Sequence, residues 1–375
     1  MMSISVCIIA KNESDQIAEC INCVKDYVDE IIVIDNDSED NTRDEAIKAG
    51  ARVIWSDKKL DLARNEYLKA ASCDWILVLD ADERILKEDI RKIKETTDLN
   101  STAPGFVIPC YNYYGNGKYA IFNLSRLFRM QPNLSYDRPI HARIRSNLNT
   151  ENKKFDILFT PIHHLDALKS IERNNYKRER NIKLTESFIS SNSHLPLTQL
   201  GMLYCHLGRE YLGKKEYDKA FHYFTKALEF DNKGVSIISL AQYYKMIGNW
   251  ILAIEWANKY FDFLNNNFTN ELLWRKEAPI AVLTNAYYGL GDYKTALKYI
   301  EEGVQNLSYY PHHFINKWWI QNKLGKREDE LLVIAKEKNQ FYKKGCIFSE
   351  VKGNIIYDIQ GNFIDDIKLD WKYFS

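Results

Sequence analysis

Ile31-Ile32-Val33-Ile34 is an unbroken run of β-branched side chains, and it leaves the chain around it little choice. Such residues are stiff at χ1 and favour extended backbone. No polar residue alternates among them, so the strand they form must be buried on both faces, as in a sheet covered by helices on each side. The neighbouring segments agree. Val6 to Ile9, Val53 to Trp55 and Trp75 to Leu79 are further short apolar runs. Between them, Ile17, Cys20, Ile21 and Val24 recur at helical spacing behind Ser14, a candidate cap. A polar turn from Asp35 to Asn41 opens a helix that Gly50 would stop, and Asp61 to Ala71 reads as another helix. This alternation predicts an α/β domain with a mainly parallel sheet and helices on both faces.

From Gly105 to Thr160 the pattern changes. Phe106 to Ile108, Leu124 to Phe128 and Ile157 to Phe159 read as strands separated by Pro, Gly and Asn turns, which predicts an antiparallel extension of the sheet. After Leu165 the chain becomes helical and repeats itself. Gly213-Lys-Lys-Glu-Tyr217-Asp-Lys-Ala220, Gly248-Asn-Trp250-Ile-Leu-Ala253 and Gly291-Asp-Tyr293-Lys-Thr-Ala296 each set an aromatic residue three positions before an alanine, soon after a glycine turn. A weaker copy follows at Leu324-Gly325-Lys326-Arg327. The spacing is that of tetratricopeptide repeats, about 34 residues, lengthened once by an insertion around Asn265 to Arg275. Alanine is needed where two helices cross closely, and the aromatic plugs the neighbouring groove. Ile355 to Asp358 and Phe363 to Ile367, around Gly361-Asn362, read as a terminal hairpin. The expected organisation is thus a catalytic-type α/β domain over residues 1–167, an all-α repeat domain over 168–338 and an extension over 339–375.

Composition removes several function classes. Lysine plus arginine equals aspartate plus glutamate, 51 each, whereas a nucleic-acid-binding chain carries an excess of positive charge. The seven cysteines are an odd number and fall mostly inside apolar runs. Cys20 and Cys23 share a helix face with Ile17, Ile21 and Val24 and no second pair stands at zinc spacing, so they read as buried small apolar residues. No stretch approaches the roughly 18 to 20 apolar residues of a spanning helix, and Ser3 to Ala10 is too short for a signal peptide. A cytoplasmic protein with reduced thiols is expected.

The chemistry is concentrated where strands end. Asp80-Ala81-Asp82 follows the apolar run Trp75 to Leu79, and residues two apart in extended chain point to one side. Paired carboxylates suit Mg²⁺ or Mn²⁺ when a diphosphate supplies the remaining ligands. Asp35 ends the run Ile31 to Ile34 and can accept hydrogen bonds from a base or ribose. The first turn, Ala10-Lys11-Asn12-Glu13, lacks G-x-G-x-x-G, which disfavours a dinucleotide and favours a mononucleotide carrier. Ser38 and Asp40 read either as helix caps or as ligand contacts.

Four segments carry a family resemblance: Ser5-Val6-Cys7-Ile8-Ile9-Ala10-Lys11-Asn12-Glu13, Ile34-Asp35-Asn36-Asp37-Ser38-Glu39-Asp40-Asn41-Thr42, Ala63-Arg64-Asn65 and Leu79-Asp80-Ala81-Asp82-Glu83. In this order and spacing they resemble the motifs of family-2 glycosyltransferases over the first 165 residues or so. The resemblance implies a GT-A fold (a Rossmann-like mixed sheet), a UDP-sugar donor and inversion at the anomeric carbon. It implies that Ala10, Asn12 and Asp35 lie against uracil and ribose, that Arg64 stands near the nucleotide and that Glu13, Ser38 and Ala81 complete the donor-binding set. It also implies that Asp80 lies near ribose and metal and that Asp82 binds the metal directly. Ser125-Arg126-Leu127-Phe128-Arg129, His141 and the repeats are similar to the bacterial branch of bacteriocin glycosyltransferases that includes the sublancin S-glycosyltransferase.

Where members of that branch often carry His-Glu, this chain has His141-Ala142, so a glutamate there cannot be the base. An inverting transfer needs a general base on the acceptor side, for which Asp137 and His141 are the candidates, against readings as a turn carboxylate and a packed strand residue. His164 resembles the late family histidine that reaches metal or diphosphate, while His163-His164 also reads as a structural pair. The expectation is a glycosyltransferase that moves glucose from UDP-glucose to a cysteine or serine of a peptide such as a bacteriocin precursor, with a homodimer allowed. A surface polysaccharide or glycolipid acceptor would instead call for a membrane-facing patch, for which Lys177-Arg178-Glu179-Arg180 is a candidate that also reads as a solvated helix face. A non-enzymatic repeat scaffold need not retain Asp35, Asp80 and Asp82.

Overall fold

The computed structural model describes residues 2–338 except 59, 101, 116–117, 137–143, 146–154, 165–170, 193, 231–233, 268–275 and 308–310. The expected hairpin at Ile355 to Ile367 and the 339–375 extension lie outside the described residues, as do Asp137 and His141. The chain forms two compact units, one from residues 1–115 and 119–171 and the other from residue 172 onward.

In the first unit β1 (Ile4–Ala10), β2 (Glu30–Asp35), β3 (Arg52–Trp55) and β4 (Trp75–Asp80) lie parallel in the order β3-β2-β1-β4. The β-branched run behaves as its composition demands. Val33 packs with Val6, Ile8, Leu77 and Leu79 on one face, while Ile32 and Ile34 pack with Cys7, Ile76 and Val78 on the other. Burying such side chains fully stabilises the fold by about 1.5–3 kcal/mol each, so this strand anchors both layers. Helix α1 (Ile17–Asn22) turns Ile17, Cys20 and Ile21 inward. Ser14 does not cap it, because the helix starts later with Gln16 at the cap position, and the Ser14 amide donates to the Asp40 carboxylate at 3.1 Å. Helix α2 (Thr42–Ala49) stops at Gly50, whose φ of +103° only glycine adopts without strain. The helix expected at Asp61 to Ala71 begins as a 3₁₀ turn, Leu60–Ala63, before α3 (Arg64–Ala70).

The rest of the sheet carries the antiparallel extension expected, with parallel pairs added to it. After β5 (Glu83–Ile85) and helix α4 (Lys87–Leu99), β6 (Gly105–Gly115) and β7 (Lys118–Arg129) follow, and β7 pairs antiparallel to β4. Short β8 (Ser135–Tyr136) and β9 (Ile144–Arg145) form a separate ribbon. β10 (Asp156–Ile157) and β11 (Ile162–His164) run parallel to β6, and β11 closes antiparallel onto β5. The strand expected at Ile157 to Phe159 thus ends early, and His163-His164 lie within a strand rather than after one.

The second unit begins with α5 (Ile171–Ser191) and continues as packed pairs: α6 (Leu197–Gly213) on α7 (Tyr217–Leu228), α8 (Val235–Met246) on α9 (Trp250–Asn267), α10 (Glu277–Gly289) on α11 (Tyr293–Asn306), and α12 (Pro311–Lys323) on α13 (Glu330–Lys338). The repeat alanines Ala220, Ala253 and Ala296 are fully buried. The Trp250 ring lies 2.5 Å from where a Cβ on Gly289 would stand, so the aromatic fills the groove of the next pair. The turns correct one detail. Gly213 is still helical, and the left-handed residue of the first turn is Lys215 (φ +62°), matching Gly248 (+76°), Gly291 (+79°) and Gly325 (+74°) in the later ones. Along α5, Arg178 pairs with Glu210 at 2.9 Å and Glu179 is bonded to Lys214, so this basic run is a solvated, ion-paired helix face. Among the described residues no helix is long and apolar enough to cross a membrane.

Candidate active site

Sheet register brings the expected donor-side residues to one edge. Ala10 stands opposite Asp35 across β1 and β2, and Ile9 opposite Asp80 across β1 and β4, so the three strand ends are level. This is the carboxyl edge at which open α/β sheets bind ligands.

Asp80 is the electrostatic centre. One carboxylate oxygen accepts from Arg64 at 2.6 Å and the other from Arg126 at 2.8 Å. Arg126 also donates to Glu83 Oε1 at 2.6 Å, and Glu83 Oε2 accepts the Asp80 amide at 2.8 Å. Burial favours the neutral acid at Asp80, yet Arg126 and then Arg64 hold its pKa well below the usual carboxylate range. At Glu83 burial wins over Arg126 and the pKa is raised. Arg126, only 11% exposed and set against both acids, is held firmly protonated despite its own burial.

Asp82 and His164 meet on the other side of the turn, with Asp82 Oδ1 3.2 Å from His164 Nε2. Burial would lower the histidine pKa, but the Asp82 carboxylate lifts it to about 9. The second ring nitrogen is hydrogen-bonded to Asn112 Oδ1, which fixes the ring. Adjacent ligands of an octahedral cation bound at about 2.1 Å stand about 3 Å apart, so the Asp82–His164 pair has the separation to hold Mg²⁺ or Mn²⁺, with the cation replacing the proton that the imidazole now shares with Asp82. Asp80, expected beside the metal, has both oxygens engaged by guanidinium groups in this structure. Buried Arg84 holds the turn itself, donating to the Ala81 and Glu83 carbonyls at 3.1 and 2.9 Å and to Gln16 and Glu19 of the α1 region. Ala81 is buried beneath it, and the Cys20 thiol lies 3.4 Å from the Asp80 carbonyl.

The loops after β1 and β2 are stitched together. Asn12 donates its amide to Ser38 Oγ at 3.1 Å and accepts the Glu39 amide at 2.8 Å, and the Glu13 amide donates to Thr42 Oγ1 at 2.7 Å. Asn12 and Asp37 both take the left-handed conformation, with φ of +55° and +61°. Ser38 therefore cross-links the loops, while Asp40 both holds the Ser14 amide and accepts the amide of Thr42, the first residue of α2, at 3.0 Å. Asp35 is fully buried. Its carboxylate accepts from Arg43 at 3.1 and 2.7 Å and from the Ser38 amide at 3.2 Å.

Behind Arg64, Asn65 grips the backbone of Tyr136, accepting its amide at 2.7 Å and donating to its carbonyl at 3.1 Å. The Tyr136 ring lies 5.9 Å from the Arg64 guanidinium and its hydroxyl is bonded to Tyr67 at 2.9 Å. Asp80, Asp82, Arg64 and His164 are thus gathered at one edge. In the sequence, Glu83 and Arg126 stand only as members of motifs, with no role of their own, and Arg84 and Asn112 are not singled out. The available signal was charge embedded in apolar strand sequence, at Glu83-Arg84 and Arg126.

Residues 5–155 match the family model for glycosyl transferase family 2, and residues 203–233 match a tetratricopeptide repeat model. A TPR repeat-containing protein of Synechococcus elongatus is 37% identical over 150 residues, 40% of this chain and 37% of its own. The SPbeta prophage-derived glycosyltransferase SunS of Bacillus subtilis is 30% identical over 189 residues, 48% of this chain and 44% of its own. An uncharacterized glycosyltransferase of Rickettsia felis is 43% identical over 89 residues, 24% of this chain and 31% of its own. The chain thus spans less than half the length of each of these relatives. Among solved structures, glucosyl-3-phosphoglycerate synthase from Mycobacterium tuberculosis aligns at 24% identity and a TM-score of 0.26, over 30% of this chain and 44% of that one, an overlap too partial to argue from. Residues 5–155 are thus similar to glycosyl transferase family 2 and form a mixed sheet, and they are followed by a helical unit that contains a segment similar to a tetratricopeptide repeat.

Proposed function

We propose that this chain is a metal-dependent, inverting glycosyltransferase that moves glucose from UDP-glucose to a cysteine or serine side chain of a peptide, such as a bacteriocin precursor. The observation that carries the reading is the Asp82–His164 pair, 3.2 Å apart, beside the Asp80–Arg64 ion pair at the carboxyl end of β4. When bound there, Mg²⁺ or Mn²⁺ supplies charge stabilisation for a departing diphosphate. Arg64 and Arg126 add fixed positive charge to the same edge, already oriented by Asp80 and so needing little reorganisation. Ala10, Asn12, Glu13, Asp35 and Ser38 form the floor for uracil and ribose, with Asp35 exchanging part of its Arg43 and Ser38 bonding for the nucleoside. Asp137 and His141 are the candidate bases on the acceptor side. The peptide acceptor is supported by the likeness to SunS and by the stacked repeats, which suit an extended segment.

The test is direct. Purified enzyme is given UDP-glucose, Mn²⁺ and one peptide in cysteine and serine versions, and mass gain is followed by mass spectrometry. Transfer that persists in Asp82→Ala or under excess chelator would rule out the metal site. Donor turnover confined to a lipid-linked or polysaccharide acceptor would rule out the peptide.

A further inference from the structure

Three strands bring three unlike donor groups to one spot on one face of the sheet. β11 lies between β6 and β5, with His164 opposite Asn112 on one side and Glu83 on the other. Cys110 precedes Asn112 by two residues on β6 and so shares its face. The Cys110 sulfur is 3.6 Å from Glu83 Oε1, and one donor atom from each of Glu83, Cys110 and His164 lies within 4.8 Å of the others. Cys110 and Glu83 are each 1% exposed.

The spacing is informative. A sulfur at about 2.3 Å and an oxygen at about 2.0–2.2 Å on tetrahedral zinc stand about 3.5 Å apart, close to the Cys110–Glu83 separation. His164 completes the set by giving up its Asp82 or Asn112 hydrogen bond and turning its ring, and Arg126 can stay on Asp80 when Glu83 turns its oxygen to a cation. We infer that Glu83, Cys110 and His164 form a site for a thiophilic divalent cation of the Zn²⁺ class, separate from the Asp82–His164 pair. The inference rests on the proposed function only in that both sites draw on His164. Mg²⁺ and Mn²⁺ seek oxygen and gain little from sulfur, whereas Zn²⁺ gains much from a thiolate. One imidazole therefore serves two classes of metal, one at a time. Cys110, Glu83 and His164 holding Zn²⁺ would leave the imidazole unavailable to Asp82, so such binding would compete with the Mg²⁺ or Mn²⁺ of the proposed transfer.

Cobalt(II) is the probe, because thiolate-bound Co²⁺ has a charge-transfer band in the near ultraviolet. Titrated into the metal-free full chain, it should develop that band to one equivalent, and Zn²⁺ should bleach it. Cys110→Ser should abolish the band and weaken Zn²⁺ binding by at least about a hundredfold, the upper end of what loss of even an outer-sphere partner costs. Glu83→Gln, which keeps the thiol, should retain a band but require a higher Co²⁺ concentration. The Cys20→Ser/Cys23→Ser double variant should titrate like wild type. Asp82→Ala should lose Mn²⁺ binding, followed by electron paramagnetic resonance, and keep the cobalt band, so the two metal readings stand or fall separately. No band at one equivalent in the wild-type chain, a band that survives Cys110→Ser, or Co²⁺ affinity unchanged by Glu83→Gln would overturn the inference.

Discussion

Replacing Arg126 by methionine removes one cation from between buried Glu83 and part-buried Asp80. Its hydrogen bonds to Asp80 and Glu83, at 2.8 and 2.6 Å, are both to charged acceptors, and such bonds contribute about 1.5–3 kcal/mol each. Asp80 keeps Arg64, but Glu83 is left buried without its cation. Breaking one side of a buried ion pair costs about 3–5 kcal/mol, and that is the loss expected at neutral pH in a urea titration of the first unit. The pH dependence carries the diagnosis. Glu83 already has a folded-state pKa raised by burial, and without Arg126 it rises further. Between the unfolded and folded pKa the native state then binds more protons than the unfolded one, so the variant loses stability as pH rises. The gap between wild type and Arg126→Met should therefore narrow from pH 8 to pH 5. Adding Glu83→Gln should restore about 0.5–3 kcal/mol of the loss, the usual range for coupled neighbours. A loss under about 1 kcal/mol, a pH-independent gap or strictly additive effects would refute the reasoning.

Lys215→Gly should raise repeat-domain stability by about 1 kcal/mol and Gly248→Ala should lower it by about as much, both read from thermal melts, because left-handed backbone strains a residue with a Cβ. Asn65→Ala strands both Tyr136 backbone groups and should cost about 2 kcal/mol in denaturant unfolding; a neutral result would show that water replaces the clamp. Asp137→Ala should slow transfer to a serine peptide by about a hundred- to ten-thousand-fold. It should slow the cysteine version far less, because a thiol with a pKa near about 8.5 ionises with little help. Wild-type-like serine rates in both Asp137→Ala and His141→Ala would place the base elsewhere.

What was legible in the sequence was what local pattern controls. Ile31 to Ile34 reported a doubly covered strand, Gly50 a helix stop, and the aromatic–alanine spacing a stacked helical array. Asp80 and Asp82 were legible because their strand runs straight into them. What escaped depends on partners far along the chain. Arg126 meets Asp80 and Glu83 only because β7 turns back antiparallel onto β4; the strand at Leu124 to Phe128 and its antiparallel sense are legible, but nothing near Arg126 says that β4 is its partner. Helix α4 shows the core only Ile90 and Ile93 among its apolar residues, too thin a stripe to stand out beside its lysines and acids. β11 is three residues long and owes its strand character to the partners on either side. Lys215 is hidden for the opposite reason: Gly213 is the residue type that usually makes such a turn, and it stands two positions before the residue that does.

The stitching of the first two loops has a thermodynamic consequence. Asn12, Ser38, Asp40 and Thr42 are already engaged with one another, so a ligand arriving at this edge meets a surface whose side chains have largely surrendered their freedom. Each rotamer-rich side chain frozen during association costs about 0.5–1.5 kcal/mol, and here folding has met that cost beforehand. Binding at this end of the sheet should accordingly be fast to complete, with a small entropic penalty, and a calorimetric signature set by the ligand's own ordering rather than the protein's.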